Sequence, residues 1–363
     1  MAEDSVRGAS QRPIKPSTAR GADETLAELD EALAERDEAL AERDETLAER
    51  DETLAELDET LAERDEALAE LDETLAELDE ALIHLRLPPL PVALPVSTTD
   101  AHTHIGSTTE YSQLSLEHIL AAARSVNVTR LVEVGTDAGS SREAIAMADA
   151  HPEVVAAVAI HPNDAARLGA QLPAELAVLE QLVGSSPRVR GIGETGLDYF
   201  RTTDAAGQAR QKEAFAAHIA WAKAHDLALV IHDRDAHADI LDMLAAEGAP
   251  ERVQMHCFSG DAAFARACLD RGFWLSFPGT VTFKPNEALR EALDITPLDK
   301  LLVETDAPYL TPLPYRGKPN SSYLLPHTVR FIAERRGVDL AELCVQLATN
   351  ASAVFGDWGD DEV

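Results

Sequence analysis

From Ser97 onward, eight short β-prone runs alternate with helical patterns, and this alternation limits the fold more than any other feature of the chain. The runs are Thr98–His102, Leu131–Gly135, Val154–Ile160, Val189–Gly193, Ala228–Ile231, Arg252–Met255, Phe273–Phe277 and Lys300–Glu304. Their starts lie roughly 20–40 residues apart, the spacing of strand–helix units joined by parallel crossovers. Amphipathic stretches fall between them, including Leu116–Ser125, Glu143–Ala150, Ala206–Ala224 and Ala262–Arg271, and two more, Pro326–Arg336 and Leu340–Phe355, follow the last run. Eight such units within residues 97–363 predict an α/β fold of the (β/α)8 TIM-barrel type, which takes about 250 residues. A doubly wound open sheet is the competing architecture, but no Gly-x-Gly-x-x-Gly follows the first run to support it.

The residues that close these runs share a chemistry. His102 and His104 sit two apart, so on a strand they project to the same side. His161-Pro162 follows the third run, Glu194 the fourth, His232 the fifth, His256 the sixth and Asp306 the eighth. In a barrel every strand delivers its C-terminal end to one rim, where active sites are built. Closing the barrel would therefore gather imidazoles and carboxylates from distant parts of the sequence. Such a mixture is a ligand set for Zn²⁺, Mn²⁺ or Mg²⁺.

The stretches around these residues are Asp100-Ala101-His102-Thr103-His104, Gly191-Ile192-Gly193-Glu194-Thr195-Gly196-Leu197-Asp198-Tyr199, Val230-Ile231-His232-Asp233-Arg234-Asp235-Ala236, His256-Cys257-Phe258-Ser259-Gly260 and Glu304-Thr305-Asp306-Ala307-Pro308-Tyr309-Leu310. With Arg316-Gly317-Lys318-Pro319-Asn320 and Asn350, they resemble the TatD-type metal-dependent hydrolases and deoxyribonucleases, within the amidohydrolase-like barrels. The resemblance covers residues 97–356. Two departures are small: Ala228 stands where the family often has proline, and Ala307 where serine is common.

The resemblance implies two divalent cations per subunit, with His102, His104 and Asp306 on one, His232 and His256 on the other, and Glu194 bridging both. It implies a nuclease, most simply a 3′-5′ exonuclease on DNA, in which a metal-activated hydroxide attacks phosphorus and Asp306 takes the water's proton. A D-aminoacyl-tRNA deacylase, or another ester or amide hydrolase, is the alternative on the same rim. A third reading, from a different class, is a coiled-coil scaffold with secondary activity.

Other residues are weaker candidates. His161 is placed to contact substrate or to support a ligand. Arg234 and Lys318 could meet phosphate, or be solvated surface cations. Glu304 and Asp198 share a side with the ligands Asp306 and Glu194, and could support the site or form buried pairs of their own. His118, His151, His218, His225, His237 and His327 read as ordinary surface or core histidines, and Cys257 as a packing residue.

The N-terminal quarter has a different grammar. Residues 1–22 are polar with breaking residues and are expected to be disordered. Nine tandem heptapeptides, Asp-Glu-(Thr/Ala)-Leu-Ala-Glu-(Leu/Arg), run from Asp23 to Leu85. Their leucines form one stripe on a helix, interrupted where Arg36, Arg43, Arg50 and Arg64 take the second seam position. The segment is either a coiled coil that makes a homo-oligomer or a solvated helix without a partner, whether expanded by repetition or included by a misplaced start. Residues 86–96 hold Pro88, Pro89, Pro91 and Pro95 and read as a stiff spacer before the barrel.

Charge bears on partners. Residues 23–85 carry 26 of the 65 acids and 4 of the 31 bases, while residues 86–363 keep a net charge of −14. An acidic body does not grip duplex DNA by releasing counterions, so any nucleic-acid contact must be local. Three separated cysteines fit no disulfide framework, and no run is long and apolar enough for a transmembrane helix. Without a signal-peptide core in residues 1–22, the expected compartment is the cytoplasm and no membrane partner is expected.

Overall fold

The structure is a computed structural model that describes residues 19–358. Two compact units divide the chain, Met1–Asp72 and Glu73–Val363. The first is occupied by the helix α1 (Ala19–Leu85), whose last turns belong to the second unit. Helix begins at Ala19, so the disorder expected of residues 1–22 fails at 19–22 and otherwise lies outside the described residues. Leu26, Leu29, Leu33, Leu40, Leu47, Leu54, Leu57 and Leu61 are all exposed. Arg36, Arg43 and Arg64 pair with the next residue, Asp37, Asp44 and Asp65, at 2.8–3.0 Å in full solvent, which adds little stability.

In the second unit eight parallel strands follow one another in chain order around a nearly closed TIM barrel: β1 (Thr98–Thr103), β2 (Val128–Val134), β3 (Val154–Ala157), β4 (Val189–Asp198), β5 (Ala228–Arg234), β6 (Val253–Met255), β7 (Trp274–Phe277) and β8 (Leu301–Val303). Between the strands lie α2 (Ile105–Ser112), α3 (Leu116–Ser125), α4 (Ala138–Ala150), α5 (Pro162–Leu168), α6 (Leu172–Val183), α7 (Ala205–Ala224), α8 (His237–Glu247), α9 (Ala262–Leu269) and α10 (Glu287–Ile295), and after β8 come α11 (Leu325–Arg336) and α12 (Leu340–Phe355). Short polar residues start many of these helices: Ser115, Asp137, Asp204, Asp261 and Asp339 each accept a hydrogen bond from a first-turn amide. No helix among the described residues is long and apolar enough to cross a membrane.

Strand alternation separates two cores. Val132, Val155, Ala157, Ala228, Val230 and Leu302 pack inside the barrel with Phe355 and Trp358 beneath them, while Leu131, Val154, Ala156, Leu229, Ile231 and Val303 pack toward the helices. The same parity carries His232 inward after Val230, His256 after Gln254, and Glu304 and Asp306 after Leu302.

Strands β4 and β5 run further than their apolar stretches. They remain paired through Asp198 and Arg234, so Glu194 and His232 lie within strands rather than beyond them. By strict alternation Glu194 would point to the helices, because Gly191 and Gly193 face inward against Ala157 and Val230. A register shift between Ile192 and Thr195 returns it to the interior. A second shift, between Asp100 and Thr103, falls on β1 beside His102. Beyond the strand ends, Asp306 N to His102 O and His104 N to Ala307 O, both 3.0 Å, draw β1 and β8 together.

The first strand begins at Thr98, beside the expected start at 97, but the folded unit begins earlier, because the segment read as a spacer is part of it. Leu78, Leu82 and Leu94 are buried in the main core, with Leu75, Leu85, Leu87 and Leu90 packed against it. The proline-rich segment is bound along its length: Tyr323 Oη donates to Pro88 O at 2.8 Å, Arg330 to Ala93 O at 2.9 Å and Asn127 Nδ2 to Leu94 O at 2.5 Å. The reason is in the repeats. Leucine fills both seam positions at Leu75, Leu78, Leu82 and Leu85, whereas Arg36, Arg43, Arg50 and Arg64 take the second seam position in four of the earlier repeats.

Deleting residues 1–72 should therefore leave the urea midpoint of the barrel unchanged, whereas Leu78→Ala should destabilise it by about 2–5 kcal/mol. A barrel as stable with alanine at 78 as with leucine would contradict the packing described.

Candidate metal centre

Six expected residues converge at the C-terminal mouth of the barrel. His102 Nε2 and His104 Nε2 are 3.3 Å apart. Asp306 Oδ1 lies 3.9 Å from the first and 3.6 Å from the second. Glu194 divides the remaining contacts between its two oxygens. Oε2 faces His102 at 3.8 Å and His104 at 3.7 Å, while Oε1 faces His232 Nδ1 at 2.6 Å, His256 Nε2 at 3.3 Å and His161 Nε2 at 3.5 Å.

The second nitrogen of each ring says what the first is for. His104 Nδ1 sits 2.7 Å from the Val134 carbonyl, which only accepts, so this nitrogen carries the proton and Nε2 presents a lone pair. His256 Nδ1 lies 3.0 Å from Glu304 Oε1, and His232 Nε2 lies 3.4 Å from Asp198 Oδ2. Carboxylates behind imidazoles in this way fix ring orientation and raise ligand basicity. His161 is wired in the opposite sense. It caps α5, and its Nδ1 accepts from Asn163 N at 3.1 Å. Its proton is therefore on Nε2, aimed at Glu194 as a donor rather than a ligand.

Such a set fits a divalent cation. Imidazole nitrogens meeting nose to nose make a poor hydrogen bond, whereas donors about 3.0–3.4 Å apart sit well on a common ion at about 2.1 Å. Groups that could hold an ion are His102–His104–Asp306, His102–Glu194–His256, His161–Glu194–His232 and His256–Cys257–Glu304. The tautomer argument removes His161 from the third. In the fourth, Cys257 N donates to Glu304 at 2.5 Å and burial pushes its thiol far up, away from the thiolate a metal needs.

The proton balance points the same way. Burial opposes charge on every group here, yet the neighbours prevail at most of them. Glu194 is held well below the usual carboxylate range by His161 and His256. Despite burial, Asp306 and Glu194 raise His104 to about 9, and Asp198 and Glu194 raise His232 to about 9. His256 is raised far above its ordinary value by Glu304 and Glu194. His102 goes the other way: burial and the neighbouring imidazoles keep it neutral. Without an ion, protons on imidazoles balance the acids.

The remaining candidates are distributed unevenly. Glu304 is fully buried and binds Gln254 Nε2 at 3.2 Å as well as Cys257 N. Asp198 accepts from Asn163 Nδ2 at 2.9 Å and from Arg201 N at 2.8 Å. Arg234 lies at the mouth with its guanidinium 3.8 Å from the Phe200 ring centroid. Lys318 is not at the centre and donates to the carbonyl of Arg86 at 3.1 Å.

Three supporting residues escaped the sequence reading. His218 is wholly buried on α7, where its Nδ1 meets Thr195 Oγ1 at 2.6 Å and steadies β4 beside Glu194. Glu133, raised by burial to about 7, accepts from the amides of Ile105 and Gly106 at the start of α2, directly after His104. Asp100, also raised by burial to about 7, takes two hydrogen bonds from Thr305 beside Asp306. A charge inside an apolar strand, as in Leu131-Val132-Glu133-Val134, was the available signal for Glu133. His218 offered none, because an amphipathic helix with one histidine looks the same in either role.

Known proteins agree with this geometry. The family model described as TatD related DNase matches residues 99–356. The uncharacterized metal-dependent hydrolase TatD of Mycobacterium tuberculosis is 44% identical over 260 residues, covering 71% of this chain and 97% of that protein. The 3′-5′ ssDNA/RNA exonuclease TatD of Erwinia amylovora is 34% identical, covering 66% of this chain and 93% of its own length. Among solved structures, the TatD homologue YJJV of Escherichia coli superposes with a TM-score of 0.65 at 26% identity, over 72% of this chain and 98% of that one.

A pH-dependent metal effect follows. In metal-free protein the stability carried by protonated His104 and His232 is fully present below pH 6.5 and is lost as pH rises through about 9. Because a cation displaces those protons, added Zn²⁺ or Mn²⁺ should raise the thermal midpoint more at pH 9 than at pH 6.5. Equal shifts at both values would exclude these imidazoles as ligands.

Proposed function

The chain belongs to the TatD-related DNase family of metal-dependent hydrolases, and on that premise we propose that it cleaves phosphodiester bonds of DNA from the 3′ end, using two divalent cations. The observation that carries this reading is the division of labour at Glu194. One oxygen turns to His102 and His104, beside Asp306, and the other turns to His232 and His256. A carboxylate so placed suits a bridge between two ions, held by His102, His104 and Asp306 on one side and His232 and His256 on the other. Cations there would supply Lewis acidity toward a phosphoryl oxygen and acidify a water. The direction of digestion is taken from the Erwinia relative's name.

The chain's own groups do the rest. Asp306 is the most exposed of the carboxylates at the centre, at 15%, so its free oxygen can accept the attacking water's proton. His161, whose Nε2 proton is aimed at Glu194 in the resting site, would turn that proton to a phosphoryl or leaving oxygen of bound substrate. Glu304 and Asp198 hold His256 and His232 in place, and Asn163 ties Asp198 to the cap of α5.

Glu194→Ala should abolish both metal binding and hydrolysis of a single-stranded oligonucleotide, read as metal content after dialysis and as release of nucleotides. A Glu194→Ala enzyme with wild-type turnover would overturn the site. His161→Gln should keep the full metal content and lose on the order of 100-fold in kcat, the scale of one lost donor to the transition state. Metal-dependent turnover of D-aminoacyl-tRNA, with DNA untouched, would replace the nuclease reading with the deacylase one.

A further inference from the structure

All 17 aromatic side chains other than histidine lie among the described residues, and of these only Tyr111, Phe200 and Tyr309 are strongly exposed, at 63%, 58% and 56%. All three lie on the rim that carries the metal centre, each on a segment that leaves a site residue. Tyr111 is on α2, which starts directly after His104. Tyr309 closes a turn whose amide binds the Asp306 carbonyl at 2.9 Å. Phe200 lies in the turn after Asp198, whose carboxylate faces His232. Exposing a large ring is unfavourable, and scattered surface aromatics would not all select one end of a barrel.

The rings form two stations. Tyr111 and Tyr309 pair at 6.5 Å between centroids with a 54° tilt, on the His104 and Asp306 side. On the His232 side, Arg234 covers one face of Phe200 and leaves the ring largely open. No carboxylate pairs with the Arg234 guanidinium among the described residues. The next residue, Arg201, lines with Arg167 and Asn163 a cavity of about 310 Å³. Cation and ring therefore alternate along this part of the rim, in a body whose net charge is otherwise acidic.

We infer that these two stations each stack an unpaired nucleobase, one on either side of the scissile phosphate. The inference rests on the phosphodiesterase reading above and adds to it what is read beyond the phosphate. Rings bind bases of any sequence through their faces, and paired bases in a duplex do not offer those faces. Arg234 and Arg201, neither in an ion pair among the described residues, meet the backbone between bases. A site that grips bases and a few phosphates needs no broadly basic surface, which agrees with a body of net charge −14.

The test measures binding apart from turnover. Metal-loaded enzyme is titrated with a short single-stranded phosphorothioate oligonucleotide, which resists hydrolysis, and with an abasic deoxyribose-phosphate strand of equal length. Phe200→Ala and Tyr309→Ala should each raise Kd for the base-bearing strand by roughly 5- to 150-fold, the range for losing one stacked base. Phe200→Trp and Tyr309→Phe should restore it, and Kd for the abasic strand should not respond. Unchanged Kd in both alanine variants, equal losses on the two strands, or a blunt duplex bound as tightly as the single strand would overturn the inference. Ring-dependent binding with no cleavage of an ordinary phosphodiester strand would instead refute the hydrolytic reading and leave the stations standing.

Discussion

A carboxylate buried among five imidazoles is the constraint on which the rest of this structure depends. Glu194 is only 4% exposed, in surroundings that penalise charge, yet it stays ionised because positive charge is always supplied to it. Protons on the imidazoles supply that charge here, and the proposed cations would take their place. The barrel is the means of meeting this requirement. It brings His102 and His104 from one end of the fold, His232 and His256 from its middle and Asp306 from its last strand to the two oxygens of one side chain. The small residues around Glu194 serve the same purpose. A Cβ at Gly193 would collide with the Val230 side chain, and one at Gly196, which has a φ of +133°, with the His232 carbonyl.

The layer behind the ligands shows how expensive such a centre is to keep. Glu133, Asp100, Glu304 and His218 are all buried and ionisable, and each is spent on a backbone amide or a neighbouring side chain next to a site residue. Buried polar groups of this kind stabilise little by themselves, since desolvation offsets much of what their partners return. Their effect is positional. Glu304 Oε1 lies 3.0 Å behind His256 Nδ1, and Val134 O at 2.7 Å from His104 Nδ1 leaves that ring one orientation in which its second nitrogen is satisfied. That orientation points the first nitrogen at the centre.

How much of this could be read in advance depended on where information is stored. The eight strands were legible because buried parallel strands need apolar runs, and the inward residues at their ends were legible because β-parity is rigid. Glu194 was identified by the motif around it, although simple alternation would have sent it outward; the register shift that rescues it has no compositional mark beyond two glycines. His218 was unreadable for a different reason. Its role is set by a hydrogen bond to Thr195 across two elements, and nothing local distinguishes that from ordinary packing. The start of the folded unit was misjudged because prolines were read as stiffness alone. Prolines end a helix, but their carbonyls still accept, and Tyr323 uses one.

The last arginine in the seam of α1 is Arg64, and leucine fills every seam position from Leu68 to Leu85, the final turns of which belong to the barrel unit. Residues 23–64 are a tandem array of six near-identical seven-residue words whose leucines are exposed. Gain or loss of whole words by slippage of the coding repeat would thus be almost invisible to selection for the enzyme. Closely related chains of this kind should differ in repeat number while the catalytic body stays constant in length.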